Sequence, residues 1–174
     1  MPTNIEIKAR VPDLGRLRAV VESLGDGPVE VLDQEDLFFA TANGRLKLRI
    51  LGAEHAELIL YHRADSTGPK PSNYLIAPTS DPAALRAILT AVLEPIGVVQ
   101  KRRWVYRVGQ TRVHLDQVKG LGAFLELEVV LRPDQPERDG VAIAARLMEQ
   151  LGIVNDQLVE GAYVDLLEGS SGSA

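Results

Sequence analysis

Along most of this sequence Lys, Arg and Glu recur at every second position, with apolar residues between them. Successive side chains of a β-strand point to opposite faces, so a period of two predicts strands with one charged and one apolar side. Asn4 to Val11 alternates in this way. Arg45, Lys47 and Arg49 alternate with Leu46, Leu48 and Ile50, and another run spans Glu57 to Arg63. A turn at Gly68-Pro69 leads to a strand around Tyr74 to Ala77. Lys101, Arg103 and Arg107 then share a face opposite Trp104, Tyr106 and Val108. Arg112, His114 and Asp116 oppose Val113 and Leu115, and Glu126 and Glu128 oppose Leu125, Leu127 and Val129. Val108-Gly109-Gln110-Thr111 predicts a hairpin joining two of these runs.

Four segments carry helical spacing instead. The first follows Asp13 with Leu14, Leu17, Val20, Val21 and Leu24, and stops at Gly25. The second opens at Asp81-Pro82, a capping residue followed by proline at the first helical position. The third uses Ile143, Ala144, Leu147, Met148 and Leu151 up to Gly152, and a short fourth runs from Leu158 towards Leu167. In any one strand, alternation of this kind describes a sheet with one wet face. Here the charged face recurs in nearly every strand, with bases on the central strands and acids on the last. Amphipathic helices are available to cover the apolar side. A sheet curled so that its charged side points inward makes a barrel with a polar interior, and such an interior calls for a charged ligand.

The chain of 174 residues is long enough for one domain, placed at residues 1–168. The Gly, Ser and Ala residues of 169–174 read as a disordered tail or cloning remnant. A net charge of −5 argues against a general nucleic-acid binder. Without cysteine there is no disulfide, thiolate metal site or cysteine nucleophile. No stretch approaches the roughly 18 apolar residues of a membrane span. Glu6, Lys8 and Arg10 interrupt the N-terminus before a secretion signal could develop, so a cytoplasmic location is expected.

Two groups of residues carry the chemistry. Glu126 and Glu128 lie on one strand face, about 6–7 Å apart along the chain, and oxygen ligands of this kind suit Mg²⁺ or Mn²⁺. Glu6 and Asp116, on the polar faces of other strands, are candidates to complete that metal site. Lys8, Arg10, Arg45, Lys47, Arg49, Lys101 and Arg103 form a basic side suited to phosphate, since guanidinium grips it in a fork and ammonium acts as a point charge. So many facing cations would repel one another without an anion between them. His114 reads as a tunnel-wall or structural residue, Ser66 and Ser72 as turn residues, and Gly120-Leu121-Gly122 as a tight turn between strands.

Ile5-Glu6-Ile7-Lys8 resembles the E-x-E-x-K signature of the CYTH, or triphosphate tunnel, family. Lys101 to Trp104, followed by Val113 to Glu128, is similar to that family's later strands. Gln34 to Phe39, Arg45 to Arg49 and Ala162-Tyr163 fall where it has comparable segments. The resemblance implies an α+β fold, an antiparallel eight-stranded β-barrel with helices packed outside. It also implies a bound triphosphate, with bases on the phosphates and carboxylates on a divalent metal. Asn4 stands where the first glutamate of the signature would be, and Lys70-Pro-Ser-Asn-Tyr74 brings no carboxylate. Either Tyr61 or Arg63 stands where a lysine is expected. Fewer acids imply weaker metal binding, above all of a second ion.

Three activities follow as expectations. The first is a Mg²⁺- or Mn²⁺-dependent phosphohydrolase for a nucleotide, thiamine triphosphate or tripolyphosphate. In it, Glu6, Lys8, Glu126 and Glu128 are catalytic, and Lys8, Arg10, Arg45, Lys47, Arg49, Arg63, Lys101 and Arg103 bind substrate. The second is a class IV adenylate cyclase, which would also need a base-recognition pocket. The third is a nucleotide- or polyphosphate-binding protein without catalysis, or a tunnel turned to another phosphorylated substrate. Trp104 and Tyr106 on an apolar face suit packing under a helix, with a homodimer contact as the other use.

Overall fold

A computed structural model describes residues 1–171. Its strands are β1 (Thr3–Arg10), β2 (Glu30–Phe39), β3 (Arg45–Gly52), β4 (His55–Arg63), β5 (Lys70–Thr79), β6 (Pro95–Val108), β7 (Thr111–Val118) and β8 (Gly122–Val130). All pair antiparallel and close into one barrel in the order β1-β5-β4-β3-β2-β6-β7-β8. Closure leaves no open sheet edge. The helices are α1 (Leu14–Leu24), α2 (Pro82–Val92), α3 (Glu137–Leu151) and α4 (Tyr163–Ser171), all outside the barrel wall.

Local chemistry sets the helix ends. The Asp13 carboxylate accepts the Arg16 N–H at 2.9 Å and the Asp81 carboxylate accepts the Ala84 N–H at 2.9 Å, each satisfying a donor left free by the first turn. α3 stops at Gly152, whose left-handed backbone (φ 67°) closes the last turn. The β6–β7 hairpin places Gly109 (φ 57°) at the first of its two turn positions, where positive φ is required.

The outer, apolar faces of the strands form the core. Ile7, Val113, Leu115, Leu125 and Leu127 pack under Leu17 and Val21 of α1 and Leu147, Met148 and Leu151 of α3. Tyr106 is buried in this cluster, and Trp104 packs against it partly buried. α2 covers the opposite wall, setting Leu89 against Leu37, Phe39 and Leu48. α3 comes closest at Gly140: a Cβ there would lie 2.5 Å from Ile5 Cγ1.

The last segment departs from the expected helix through Leu158. Leu158 instead bridges to Ala9, and Val159 donates its N–H to the Lys8 carbonyl at 2.9 Å. The helix begins only at Tyr163, after Gly161 (φ 74°), and runs to Ser171. Residues 172–174 of the expected tail lie outside the described residues. Segment 158–167 crosses one end of the barrel. The Gly161 carbonyl accepts from Lys8 (3.0 Å) and Arg63 (2.8 Å), Val164 presses on Gly97 of β6, and Asp165 pairs with Arg45 of β3. Tyr163 meets Phe124 edge to face, with ring centres 4.9 Å apart. These rings join Phe38, Val99 and Val118 in an apolar plug. Among the described residues, no helix is long and apolar enough to cross a membrane.

Candidate active site

Inside the barrel lies a cavity of about 490 Å³, with Ala162 and Tyr163 of the segment that crosses one end in its lining. Its wall is built from the charged face of the strands. Register brings the carboxylates together: Glu126 of β8 sits opposite Lys8 of β1 and His114 of β7, and Glu128 opposite Glu6 and Arg112.

Two carboxylates across the lumen each hold a pair of cations. Asp36 of β2 accepts from Lys47 at 2.8 Å and from Arg49 Nε at 3.0 Å. Asp116 accepts from Lys101 at 3.1 Å, from Arg103 through both Nε (2.7 Å) and Nη2 (2.6 Å), and from the Tyr163 hydroxyl at 3.0 Å. Arg103 Nη2 also reaches Glu126. Asp36 therefore faces two cations alone, whereas Lys101 and Arg103 are shared between Asp116 and Glu126.

Burial and neighbours set the protonation states. Burial pushes the Lys8 ammonium down to about 8, against the pull of Glu126 at 3.4 Å. Burial, reinforced by Arg49, likewise lowers Lys47 to about 8 although Asp36 opposes it. Burial opposes ionisation of Glu126, but Arg103, Lys101 and Lys8 outweigh it and hold that carboxyl well below the usual range. Glu6 moves the other way: burial and the adjacent Glu128 raise it, despite Arg63 at 2.9 Å. Burial and then Arg103 lower His114, so its imidazole is neutral near pH 7.

Most of the residues expected at the site converge on this cavity: Glu6, Lys8, Lys47, Arg49, Arg63, Lys101, Arg103, Glu126 and Glu128 all line it. Three do not. Arg10 has the right strand face but lies past the cavity, exposed, with its guanidinium 4.9 Å from the centre of the Phe124 ring. Arg45 is outside the lumen and ties Asp65 (2.9 Å) to Asp165 (2.9 Å) at the capped end. Asp116, expected on the metal, is fully buried beneath Arg103, Lys101 and Tyr163, where it serves as their counter-ion. Ser72, read as a turn residue, is a buried lumen residue of β5 beside Asn4. Tyr61 and Arg63 both face the cavity.

The sequence reading also missed residues. Asp36 is central to one cation group, yet β2 carries polar residues on both faces and so shows no period of two. Tyr163 was placed by resemblance alone. His114 matters most. It is 5% exposed, and its Nδ1 has no hydrogen-bond partner. One donor atom from each of His114, Glu126 and Glu128 lies within 4.8 Å of the others. An orphaned buried nitrogen beside two ionised carboxylates fits a divalent cation.

A closed antiparallel barrel that sets paired cations and a small acidic cluster around one lumen defines the class of charged-lumen β-barrels. Residues 2–163 match the family model described as the CYTH domain, and the chain belongs to that family. A Methanocaldococcus jannaschii protein named "putative adenylate cyclase" is 24% identical over 171 residues, covering 93% of this chain and 97% of its own. The solved structure of a Pyrococcus horikoshii protein superposes with a TM-score of 0.82 at 23% identity, covering 94% of this chain and 99% of that one. A Hippeastrum protein, described as a "putative adenylyl cyclase" that reveals a dominant triphosphatase activity, gives a TM-score of 0.64 at 19% identity, covering 98% of this chain and 96% of its own.

Proposed function

We propose that this chain is a metal-dependent phosphohydrolase acting on a triphosphate held in the barrel cavity. One observation carries the reading: Glu126, Glu128 and His114 converge on the wall of a barrel cavity that is also lined by Lys47, Arg49, Lys101 and Arg103. Lys47 and Arg49 on one wall, and Lys101 and Arg103 on another, are positioned to take successive phosphates. A site shielded from bulk water makes each such contact stronger than it would be at a surface. Glu126 and Glu128 would hold the divalent cation, Mg²⁺ or Mn²⁺, which when bound supplies positive charge to a phosphoryl oxygen and lowers the pKa of a water. Glu6, its carboxyl raised by burial and Glu128, is the group to accept a proton from the attacking water. Lys8, 3.4 Å from Glu126 and 4.0 Å from the centre of the Tyr163 ring, offers charge to the departing phosphate. Little covalent work is asked of the protein; positioning and charge stabilisation do most of it.

The name of the M. jannaschii relative supports a second reading, cyclisation of ATP to cyclic AMP and pyrophosphate. Phosphorus NMR of the protein with ATP, and separately with tripolyphosphate, with and without Mn²⁺, separates the two. Orthophosphate formed only with metal is the expected result. Pyrophosphate with cyclic AMP would establish the cyclase instead, and phosphate resonances broadened by the protein in the samples without Mn²⁺, with no turnover in either, would favour a binding protein. Glu126→Gln and Glu128→Gln should each abolish turnover; activity surviving both would remove these carboxylates from the mechanism.

A further inference from the structure

The cluster that would hold the cation is not made of oxygen alone. His114 lies mid-strand on β7, opposite Glu126 across the β7–β8 ladder, so three side chains of one hairpin meet on the lumen face. Its Nδ1 is 3.8 Å from Glu126 Oε2 and 3.7 Å from Glu128 Oε1. Those separations are too long for hydrogen bonds, which close to about 2.9 Å. They leave Nδ1 buried without a partner beside two anions. A cation among the three donors resolves both problems. Each acid here already has a cation on one oxygen, Arg63 on Glu6 (2.9 Å), Arg103 on Glu126 and Arg112 on Glu128 (2.8 Å), and it is Glu126 and Glu128 that His114 approaches.

We infer that His114 is a direct nitrogen ligand of the catalytic cation, making a site of one imidazole and two carboxylates that selects a first-row transition ion over Mg²⁺. Mg²⁺ favours an all-oxygen shell and keeps its waters, whereas first-row transition ions accept imidazole readily. The inference rests on the reading of Glu126 and Glu128 as metal ligands and adds both the third ligand and the ion preference.

The test uses the full chain and Mn²⁺ alone. Free Mn²⁺ is followed by electron paramagnetic resonance during titration, Mg²⁺ is scored by competition, and pulsed spectra of the bound ion are searched for nitrogen hyperfine coupling. The expected result is bound Mn²⁺ with coupling to a histidine ring, altered by isotopic labelling of histidine. In His114→Gln that coupling disappears, and the preference for Mn²⁺ over Mg²⁺ falls by about tenfold or more. His62→Gln, on an exposed position of β4 outside the cavity lining, should leave both unchanged. Mn²⁺ that is held without nitrogen coupling, yet released by Glu126→Gln, overturns the histidine ligand and leaves the carboxylate site standing. An unchanged ion preference in folded His114→Gln also overturns it. No bound Mn²⁺ at all removes the carboxylate site together with its histidine. The labelled wild-type spectrum decides the point even if the variant does not fold.

Discussion

At the level of single residues, the lumen is governed by which carboxylate answers which cation. Asp116 is the clearest case, being wholly enclosed with two cations and a phenol upon it. Removing one partner of a buried ion pair strands the other, so Asp116→Asn should destabilise the fold by about 3–5 kcal/mol, read from the denaturant midpoint. A loss below about 1 kcal/mol, the range of an exposed pair, would contradict that role. Lys47 gives a prediction in pH. With its ammonium at about 8, it is half charged near that pH, and an arriving polyphosphate raises it again. Binding should therefore take up protons around pH 8 and weaken as pH rises further, whereas near pH 6 the lysine is already charged and uptake through it vanishes. Calorimetry in buffers of different ionisation enthalpy measures this, and Lys47→Arg should reduce the uptake. The sequence made this face of each strand legible because side-chain direction follows parity. Height along the barrel does not follow parity. Arg10, Arg45 and Asp116 therefore shared the predicted face and yet fell outside the cavity lining.

At the level of elements, the legible parts were those whose pattern is local. The caps at Asp13 and Asp81, the Gly109 turn and the helix stop at Gly152 each depend on a few adjacent residues. β2 escaped because Asp33 and Glu35 are polar on its outside while Gln34 and Asp36 are polar on its inside. Residues 158–162 were misread as helix because they lie against β1 at a barrel end, a contact set by distant strands rather than by spacing, whereas Tyr163–Leu167 is helical as expected. Helix docking is testable at Gly140, where α3 crosses β1 with no room for a methyl group between it and Ile5 or Leu131. Gly140→Ala should cost about 1–3 kcal/mol by overpacking, seen as a lower denaturant midpoint. An unchanged midpoint would mean that α3 shifts freely on the barrel.

For the molecule as a whole, the charge balance of the sequence misleads. The chain carries a net −5, yet the group around Asp36 holds two cations to one carboxylate, and Lys101 and Arg103 line the same cavity. On the proposed function, a polyanion filling the cavity would relieve repulsion among these cations and bind only the folded state. Tripolyphosphate at about a hundredfold excess over its Kd should then stabilise the protein by about 2.7 kcal/mol, raising its Tm. Sodium chloride at equal ionic strength should not reproduce the effect, because mobile ions screen exposed charges far better than enclosed ones. Equal shifts from both would point to surface screening. The cap formed by segment 158–167 bears on substrates longer than a triphosphate. With Ala162 and Tyr163 across one end, the barrel is a cul-de-sac: a polymer cannot be threaded through it, and only a chain terminus can be inserted. A long polyphosphate would have to be trimmed from its end and released from the same mouth after each cut. Its length distribution would then shorten evenly across the population, rather than split into untouched and fully digested molecules.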